Sequence, residues 1–388
     1  MFKILTLNKI SPKGLDRFDK DRYEVASEFS DPDAIVLRSF KLHDYKFGPN
    51  LKAIARAGAG TNNIPVQKCT KEGIVVFNTP GANANAVKEI VIASMLLASR
   101  DIIGGVNWVN SLKGKGEDVP ALVEQNKSNF AGNEIKGKTL GVIGLGAIGA
   151  LVANDALSLG MKVIGYDPYI SVDAAWMLSG EVEKATGLET LLKQVDYITI
   201  HVPLLDSTKE MINAKTLAMM KDGVSIINFS RGELVNNADI FDAIKNKKVK
   251  KYITDFPQDE LLNTDGVIAI PHLGASTIES EENCAVMAVD EIKDFLENGN
   301  INNSVNFPQC SMPKCGNKRI CITNENIPNM IGNITTFLAN KQINIIDMLN
   351  KSRDEIAYNL IDIEGDISND TLVELIKIEG IISVRLLD

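Results

Sequence analysis

The run Thr139-Leu-Gly-Val-Ile-Gly144-Leu-Gly146-Ala147-Ile148-Gly149 constrains this chain more than any other stretch. A buried-strand pattern leads into a G-x-G-x-x-G, a helical pattern (Ala150–Leu159) leaves it, and Asp167 closes the next strand pattern about 20 residues on. A glycine triplet alone is a weak signal, since glycines also mark ordinary tight turns. In this setting each has a task. Gly144 makes the tight turn, Gly146 lets the backbone approach a pyrophosphate, and Gly149 allows close packing of helix on strand. The helix N-terminus then offers free N–H groups and a positive dipole end to the phosphates. Asp167 can accept hydrogen bonds from both adenosine ribose hydroxyls and would repel a 2′-phosphate. Pro168 and Tyr169 follow it, with no arginine to hold one. The pattern implies a dinucleotide-binding α/β domain that takes NAD rather than NADP.

The surrounding sequence has the same grammar. FKILTL, AIVLRS, LKAIARAG and GIVVFNTPG are strand-like runs spaced by helical patterns, which implies parallel βαβ units. A Lys/Gly/Asn-rich stretch, Asn110–Lys138, reads as a connection with surface loops. KVIGYD, YITIHVPL, VSIINFSR, KYITDF and VIAIPHLG continue the strands, and Thr277–Gly299 reads as one long amphipathic helix closed by its glycine. Asn302–Asn317 has the turn chemistry of a linker. Beyond it the pattern is strand, helix, strand, strand, helix, strand, the ferredoxin-like order. No catalytic constellation stands out there, so a regulatory or assembly module is expected.

Composition excludes several classes. At 388 residues the chain suggests two or three domains, and 45% hydrophobic with 23% charged residues is ordinary for a globular protein. A net charge of -9 argues against nucleic-acid binding but not against an anionic substrate, which needs only local cations. The start, MFKILTLNKI, is too short an apolar run for a signal peptide. Ile90–Ser99 is about half the ~20 residues a spanning helix needs. A cytoplasmic location with no membrane association is expected. Five cysteines are too few for a disulfide scaffold. Cys310, Cys315 and Cys321 match no zinc spacing, so no metal is expected and they read as reduced thiols near solvent.

The chain has three histidines, His43, His201 and His272. His272 follows a strand and precedes the long helix, where parallel sheets place ligands, and is the best candidate acid/base. His201 also ends a strand, but Pro203 after it suggests a structural turn. Glu260 is either the carboxylate that steadies this imidazole and favours its charged form or a solvated loop acid. Arg231, at a strand end before Gly232, is either a bidentate carboxylate clamp or a surface ion-pair partner.

GLGAIG with Asp167, HVPL (His201–Leu204), NFSRGELVN (Asn228–Asn236), Glu260 and PHLGAST (Pro271–Thr277) stand in the order found in the D-isomer-specific 2-hydroxyacid dehydrogenases, which this chain resembles. RAGAGTNNI and VFNTPGANANAVKE resemble that family's substrate-domain loops, and the C-terminal unit, with NENIPNMIGNI, resembles an ACT domain. The resemblance implies an α/β architecture: a Rossmann-type NAD-binding domain (98–275) inserted into a flavodoxin-like substrate domain (1–97 and 276–303). A linker (304–317) and a ferredoxin-like ACT domain (318–388) would follow. It implies Arg231, Glu260 and His272 as the catalytic set. Besides the glycine turn and Asp167, it places His201, Val202, Pro203, Thr208, Ser230, Arg231, Asp255, His272 and Gly274 along the cofactor, with Asp255 by the nicotinamide carboxamide. Arg38, Ser39, Ala59, Gly60 and Asn83, with Arg231 and His272, would hold the substrate.

The implied reaction is NAD-dependent oxidation of 3-phospho-D-glycerate to 3-phosphooxypyruvate, the first step of phosphorylated L-serine synthesis, in a homodimer or homotetramer. Two rivals stand beside it: a glyoxylate or hydroxypyruvate reductase of the same family, and a non-enzymatic NAD(H)-sensing binding protein. Several positions depart from the family pattern. Thr61-Asn62 stand where Val-Asp is usual, Lys88 replaces an alanine, and the D-V-F segment is shortened to Asp255-Phe256-Pro257. Lys88 reads either as a bland surface lysine or as a second phosphate contact. Serine-binding positions map to Asn324, Asn326 and Asn344, for L-serine feedback or for a unit used mainly in assembly. Asn329 replaces a usual glycine and is the non-glycine residue that best tolerates left-handed backbone.

Overall fold

Strand runs of two to six residues are joined by helices or long loops rather than by tight hairpins, so the first two sheets are parallel. The computed structural model describes every residue except Asn317. Its internal contacts divide it into two units, Met1–Asn83 with Ile278–Asp388, and Ala84–Thr277. The sequence suggested changes at 97/98 and 275/276. The helix Ala84–Ser99 instead belongs to the second unit, whose core it enters with Val87, Val91, Met95 and Ala98.

The first unit holds a five-stranded parallel sheet in the order Tyr23–Ala26, Phe2–Leu7, Ala34–Leu37, Ala53–Arg56, Val75–Asn78. Alternate residues serve two cores. Ile4, Val36, Ala55 and Phe77 pack with Ala288, Val289, Ile292 and Phe295 of the long helix Ile278–Asn298, while Leu5, Ile35, Ile54 and Val76 pack with Ile64 and Cys69. Gly299, at φ +75°, ends the long helix. A Cβ there would lie 2.3 Å from Cys321 Sγ, so the glycine also permits the close approach of the C-terminal sheet.

That sheet is antiparallel, in the order Asn344–Arg353, Ile356–Glu364, Lys318–Glu325, Ile381–Leu387, with helices Met330–Asn340 and Asn369–Leu375 packed on it. Asn329 precedes its first helix at φ 69°, ψ 0°. The segment expected to be a free linker is a packed strap over its described residues. Ser304 bridges Phe77, the Val305 N–H donates to Val76 O at 2.9 Å, and Asn306, Phe307, Cys310 and Met312 are buried. The expectation of solvent-near thiols is corrected here: only Cys315 is exposed, while Cys310 and Cys321 are core residues. Burial pushes the Cys310 thiol up to about 12. Arg319 is wholly buried. Its five N–H donors go to both Asp362 oxygens, at 2.6 and 2.9 Å, and to the carbonyls of Asn298, Met312 and Pro313.

The second unit is a seven-stranded parallel sheet in the order Val267–Ala269, Val249–Thr254, Val224–Asn228, Tyr197–Ile200, Thr139–Ile143, Lys162–Tyr166, Glu183–Lys184. Within Asn110–Lys138, expected as connection and loops, the chain forms the helix Val119–Asn126, started by Pro120 in its first turn. Among the described residues no helix is long and apolar enough to cross a membrane.

Candidate active site

Six strands of the second sheet end on one edge, and each end delivers a residue singled out above. Gly144 follows Thr139–Ile143, Asp167 follows Lys162–Tyr166, His201 follows Tyr197–Ile200, Ser230 and Arg231 follow Val224–Asn228, Asp255 follows Val249–Thr254, and His272 follows Val267–Ala269. The order reverses between Thr139–Ile143 and Tyr197–Ile200, the crevice in which open parallel sheets bind ligands.

The glycines have separable duties. Gly144 lies at φ +91°, and a Cβ there would meet the His201 carbonyl at about 2.8–2.9 Å. At Gly149 a Cβ would sit 1.9 Å from the Gly144 carbonyl oxygen, so only glycine lets the helix Ala147–Ser158 start this close to its strand. Gly146 caps that helix without a side-chain hydrogen bond, and nothing lies within 4 Å of where its Cβ would be. Uncapped N–H groups over open space fit a pyrophosphate. The Asp167 carboxylate is fixed across the same turn, accepting from the Leu145 N–H and the Tyr169 N–H, each at 2.8 Å. Its remaining lone pairs suit ribose hydroxyls.

His201 is held by its environment. Its backbone N–H donates to Ile143 O at 2.7 Å, its Nε2 lies 2.9 Å from Thr199 Oγ1, and burial pushes the imidazole well below its usual range. That environment favours the neutral imidazole. The Ser230 hydroxyl donates to Val202 O at 2.6 Å, and the Thr208 hydroxyl closes the Pro203–Thr208 loop by donating to Pro203 O at 2.6 Å. Asn228, missed in the sequence reading, shapes the arginine's turn. It accepts from the Ser230 N–H and donates to Arg231 O at 2.8 Å. Arg231 is exposed, donates to its own Ser230 O, and forms no ion pair among the described residues, which leaves most of its guanidinium for a ligand.

Asp255 is 1% exposed, and its Oδ2 accepts from the Gly274 N–H at 3.0 Å. A Cβ at Gly274 would lie 3.1 Å from that oxygen. Asp255 Oδ1 is buried with no hydrogen-bond partner. Burial raises this carboxyl's pKa, against the opposing pull of the Gly274 N–H and the positive charges of His272 and Arg231. An orphaned acceptor on the cofactor edge fits an amide donor such as the nicotinamide carboxamide.

His272 is exposed, with Phe256 edge-on at 4.9 Å between ring centroids. The expected Glu260–His272 contact is absent. Glu260 is exposed on the turn Asp259–Leu261 and forms no hydrogen bond or ion pair with the imidazole. The shortened Asp255-Phe256-Pro257 segment sets Phe256 against the ring, so the described neighbour is aromatic rather than a carboxylate. Lys88 is neither free nor aimed at a ligand. It pairs with Asp155 at 2.7 Å across two packed helices.

In the first unit, Arg38 and Ser39 follow Ala34–Leu37, and Ala59 and Gly60 follow Ala53–Arg56, at the ends of adjacent strands. Asn8, at φ 74°, was overlooked in the sequence. Its Oδ1 accepts from the N–H groups of Arg38, Ser39 and Phe40 and so shapes that loop. Arg38 pairs with Glu281 at 2.6 Å. Asn78 Nδ2 donates to Ala59 O at 2.6 Å, and Asn83 is half-buried. His43 is exposed in a loop.

The three asparagines expected to bind serine do not converge within one chain. Asn324 is buried, donating to Glu325 O and accepting from Asn359 at 2.7 Å. Asn326, beside it, donates to Asp354 O. Asn344 lies at the far end of the sheet, opposite Glu364, whereas Asn324 pairs with Ala357.

Fold and site together define a parallel-sheet oxidoreductase architecture with a nicotinamide-dinucleotide cleft. Residues 92–274 match the family model for the D-isomer specific 2-hydroxyacid dehydrogenase NAD binding domain. The chain is 31% identical over 399 aligned positions to the D-3-phosphoglycerate dehydrogenase of Haemophilus influenzae, covering 98% of this chain and 93% of that one. It is 38% identical to the hydroxypyruvate reductase of Thermotoga maritima, over 71% of this chain and 91% of that one. Among solved structures it is similar to the NAD+-bound 3-phosphoglycerate dehydrogenase of Entamoeba histolytica, with a TM-score of 0.62, 27% identity, and 79% and 98% of the two chains covered. Other D-3-phosphoglycerate dehydrogenases that it matches are longer, the chain spanning 61%, 59% and 56% of their length. The chain belongs to the D-isomer specific 2-hydroxyacid dehydrogenases, and its second unit is their NAD-binding domain.

Proposed function

We propose that the chain oxidises 3-phospho-D-glycerate to 3-phosphooxypyruvate, as the first step of phosphorylated L-serine synthesis. The observation that carries this reading is the single sheet edge on which an unpaired arginine, a histidine and a buried acid with an orphaned oxygen stand beside a pyrophosphate-ready turn. The ferredoxin-like C-terminal sheet and the H. influenzae relative support the choice of substrate.

NAD, when bound, supplies the acceptor for the hydride leaving C2. The protein does the rest. Arg231 grips the C1 carboxylate and polarises the developing ketone. His272 takes the C2 hydroxyl proton, so that the C–H bonding pair departs as hydride and the O–H pair becomes the carbonyl π bond. Asp255 holds the carboxamide and, by accepting from the Gly274 N–H, fixes the segment just after His272. Glu260 is assigned to the catalytic set by its place in the family's motif order, not by a contact with the imidazole. Arg38 is assigned to the phosphate, which would compete with Glu281 for its guanidinium.

NADH formation is to be measured with 3-phosphoglycerate, D-glycerate and D-lactate. Preference for the phosphorylated acid is expected, and equal or better turnover of the others would defeat the proposal. The T. maritima relative favours a second reading, hydroxypyruvate reduction, which predicts fast NADH consumption with hydroxypyruvate and no preference for phosphate. His272→Ala separates both enzymes from a sensor. An enzyme keeps NADH binding and loses turnover by about 100-fold or more, whereas a sensor has no turnover to lose. Self-association as a homodimer or homotetramer is assigned to the exposed face Ile102, Ile103, Val106 and Val109. L-serine feedback is checked by repeating the assay with and without L-serine.

A further inference from the structure

A pocket of about 430 Å³ opens in the first unit between the strap and the antiparallel hairpin. Asn303, Ser304 and Phe307 form one wall, and Lys351, Ser352 and Arg353 form the other. Its charge is one-sided. Lys351 lines the pocket and has no ion-pair partner among the described residues. Arg353 Nη1 donates to Ser304 O at 3.1 Å, which fixes the guanidinium in the wall, and its Nη2 has no partner among the described residues. Its nearest acid, Asp354, lies 3.9 Å from Nε and is 89% exposed. Behind Asn303 stands Glu291, whose Oε1 accepts from Asn303 Nδ2 at 2.8 Å. Burial pushes that carboxyl up to about 8, so at neutral pH it adds little negative charge.

We propose that this pocket binds a small dianion, carrying a phosphate or two carboxylates, held between Lys351 and Arg353. Two cations two residues apart on one strand, and so on one of its faces, supply charge-assisted donors, with no carboxylate among the residues that line the pocket. An amino-acid zwitterion fits less well, because no buried acceptor faces its ammonium. The site also has a path to the substrate loop of the same unit. The strap wall is paired to the strand Val75–Asn78 through Ser304 and Val305, the Asn78 N–H donates to Asn303 O at 3.4 Å, and Asn78 Nδ2 holds Ala59 O. An occupant that pins the strap therefore bears on the Ala59 loop.

The inference does not depend on the proposed substrate. Its test is titration calorimetry of the full chain at low ionic strength, with inorganic phosphate in one series and succinate in another. Saturable binding of at least one anion is expected. Lys351→Gln should weaken it about tenfold or more, as expected for the loss of one charge-assisted hydrogen bond, with unchanged NAD affinity and thermal midpoint. Arg353→Gln should weaken it similarly, and Arg38→Gln should leave it in place. Which series saturates identifies the anion. No saturable binding of either, or equal affinity in wild type and Lys351→Gln, would overturn the proposal.

Discussion

Glu291 makes the stability of the first unit depend on pH in a calculable way. It is 7% exposed on the long helix, one oxygen accepts from Asn303, and the other has no partner. Burial, with a smaller push from Asp290, raises its carboxyl from 4.5 to about 8. A pKa raised in the folded state means the proton is bound more tightly there than in the unfolded chain. The native state is thus favoured below pH 4.5 and loses that advantage as pH climbs towards 8. At about 1.4 kcal/mol per unit, wild type forfeits about 1 kcal/mol at pH 5, about 3 at pH 7 and about 5 at pH 9. Glu291→Gln keeps the shape and the acceptor for Asn303 but cannot ionise. The variant should therefore match wild type within about 1 kcal/mol at pH 5 and exceed it by several kcal/mol at pH 9. Denaturant unfolding of both proteins at the three pH values measures the difference. A gap that does not grow with pH, or a variant weaker than wild type at pH 9, would refute the reasoning.

Other outcomes follow from geometry already described. Gly149→Ala should displace the helix from its strand and lower the thermal midpoint, whereas Gly146→Ala should fold normally yet lose NAD affinity about tenfold or more, since its Cβ meets only the space left for phosphate; fluorescence titration with NADH separates the two. Asp167→Asn should narrow the preference for NAD over NADP by weakening NAD and removing the repulsion of a 2′-phosphate, read as the ratio of the two affinities. Arg319→Leu leaves Asp362 and three carbonyls buried without donors and should cost about 3–5 kcal/mol; the double variant with Asp362→Leu should recover part of it, and equal losses in both would show that the pair itself is unimportant.

The second unit was legible because its chemistry is local. A strand, three glycines and an acid at the next strand end specify Gly144, Gly146, Gly149 and Asp167 by position alone, and a parallel sheet brings its strand ends to one edge whatever the loops do. That Glu260 and His272 do not meet was not legible, because it depends on the path of the shortened loop after Asp255, and there Phe256 took the place beside the ring. Asn8 and Asn228 escaped notice for a related reason. Each satisfies loop backbone through its amide, and nothing in an isolated asparagine announces that the loop beside it has unpaired N–H and C=O groups. The strap misled through its composition, since Asn, Pro and Cys suggest turns, yet Asn306 spends its amide on Val76, Ile74 and Thr70 and is buried.

The same strap governs how far the C-terminal sheet can be treated as an accessory. Phe295 meets Phe77 edge-on and lies under the Arg385 guanidinium at 4.0 Å, Phe307 meets Tyr358, and the Tyr358 hydroxyl donates to Gly299 O at 2.8 Å. Ending the chain after the long helix would strip these rings bare and hand the solvent a greasy scar. A shorter dehydrogenase of this kind could not arise by clipping alone; it would need a repainted helix face, with polar side chains where Phe295 and Leu296 now stand.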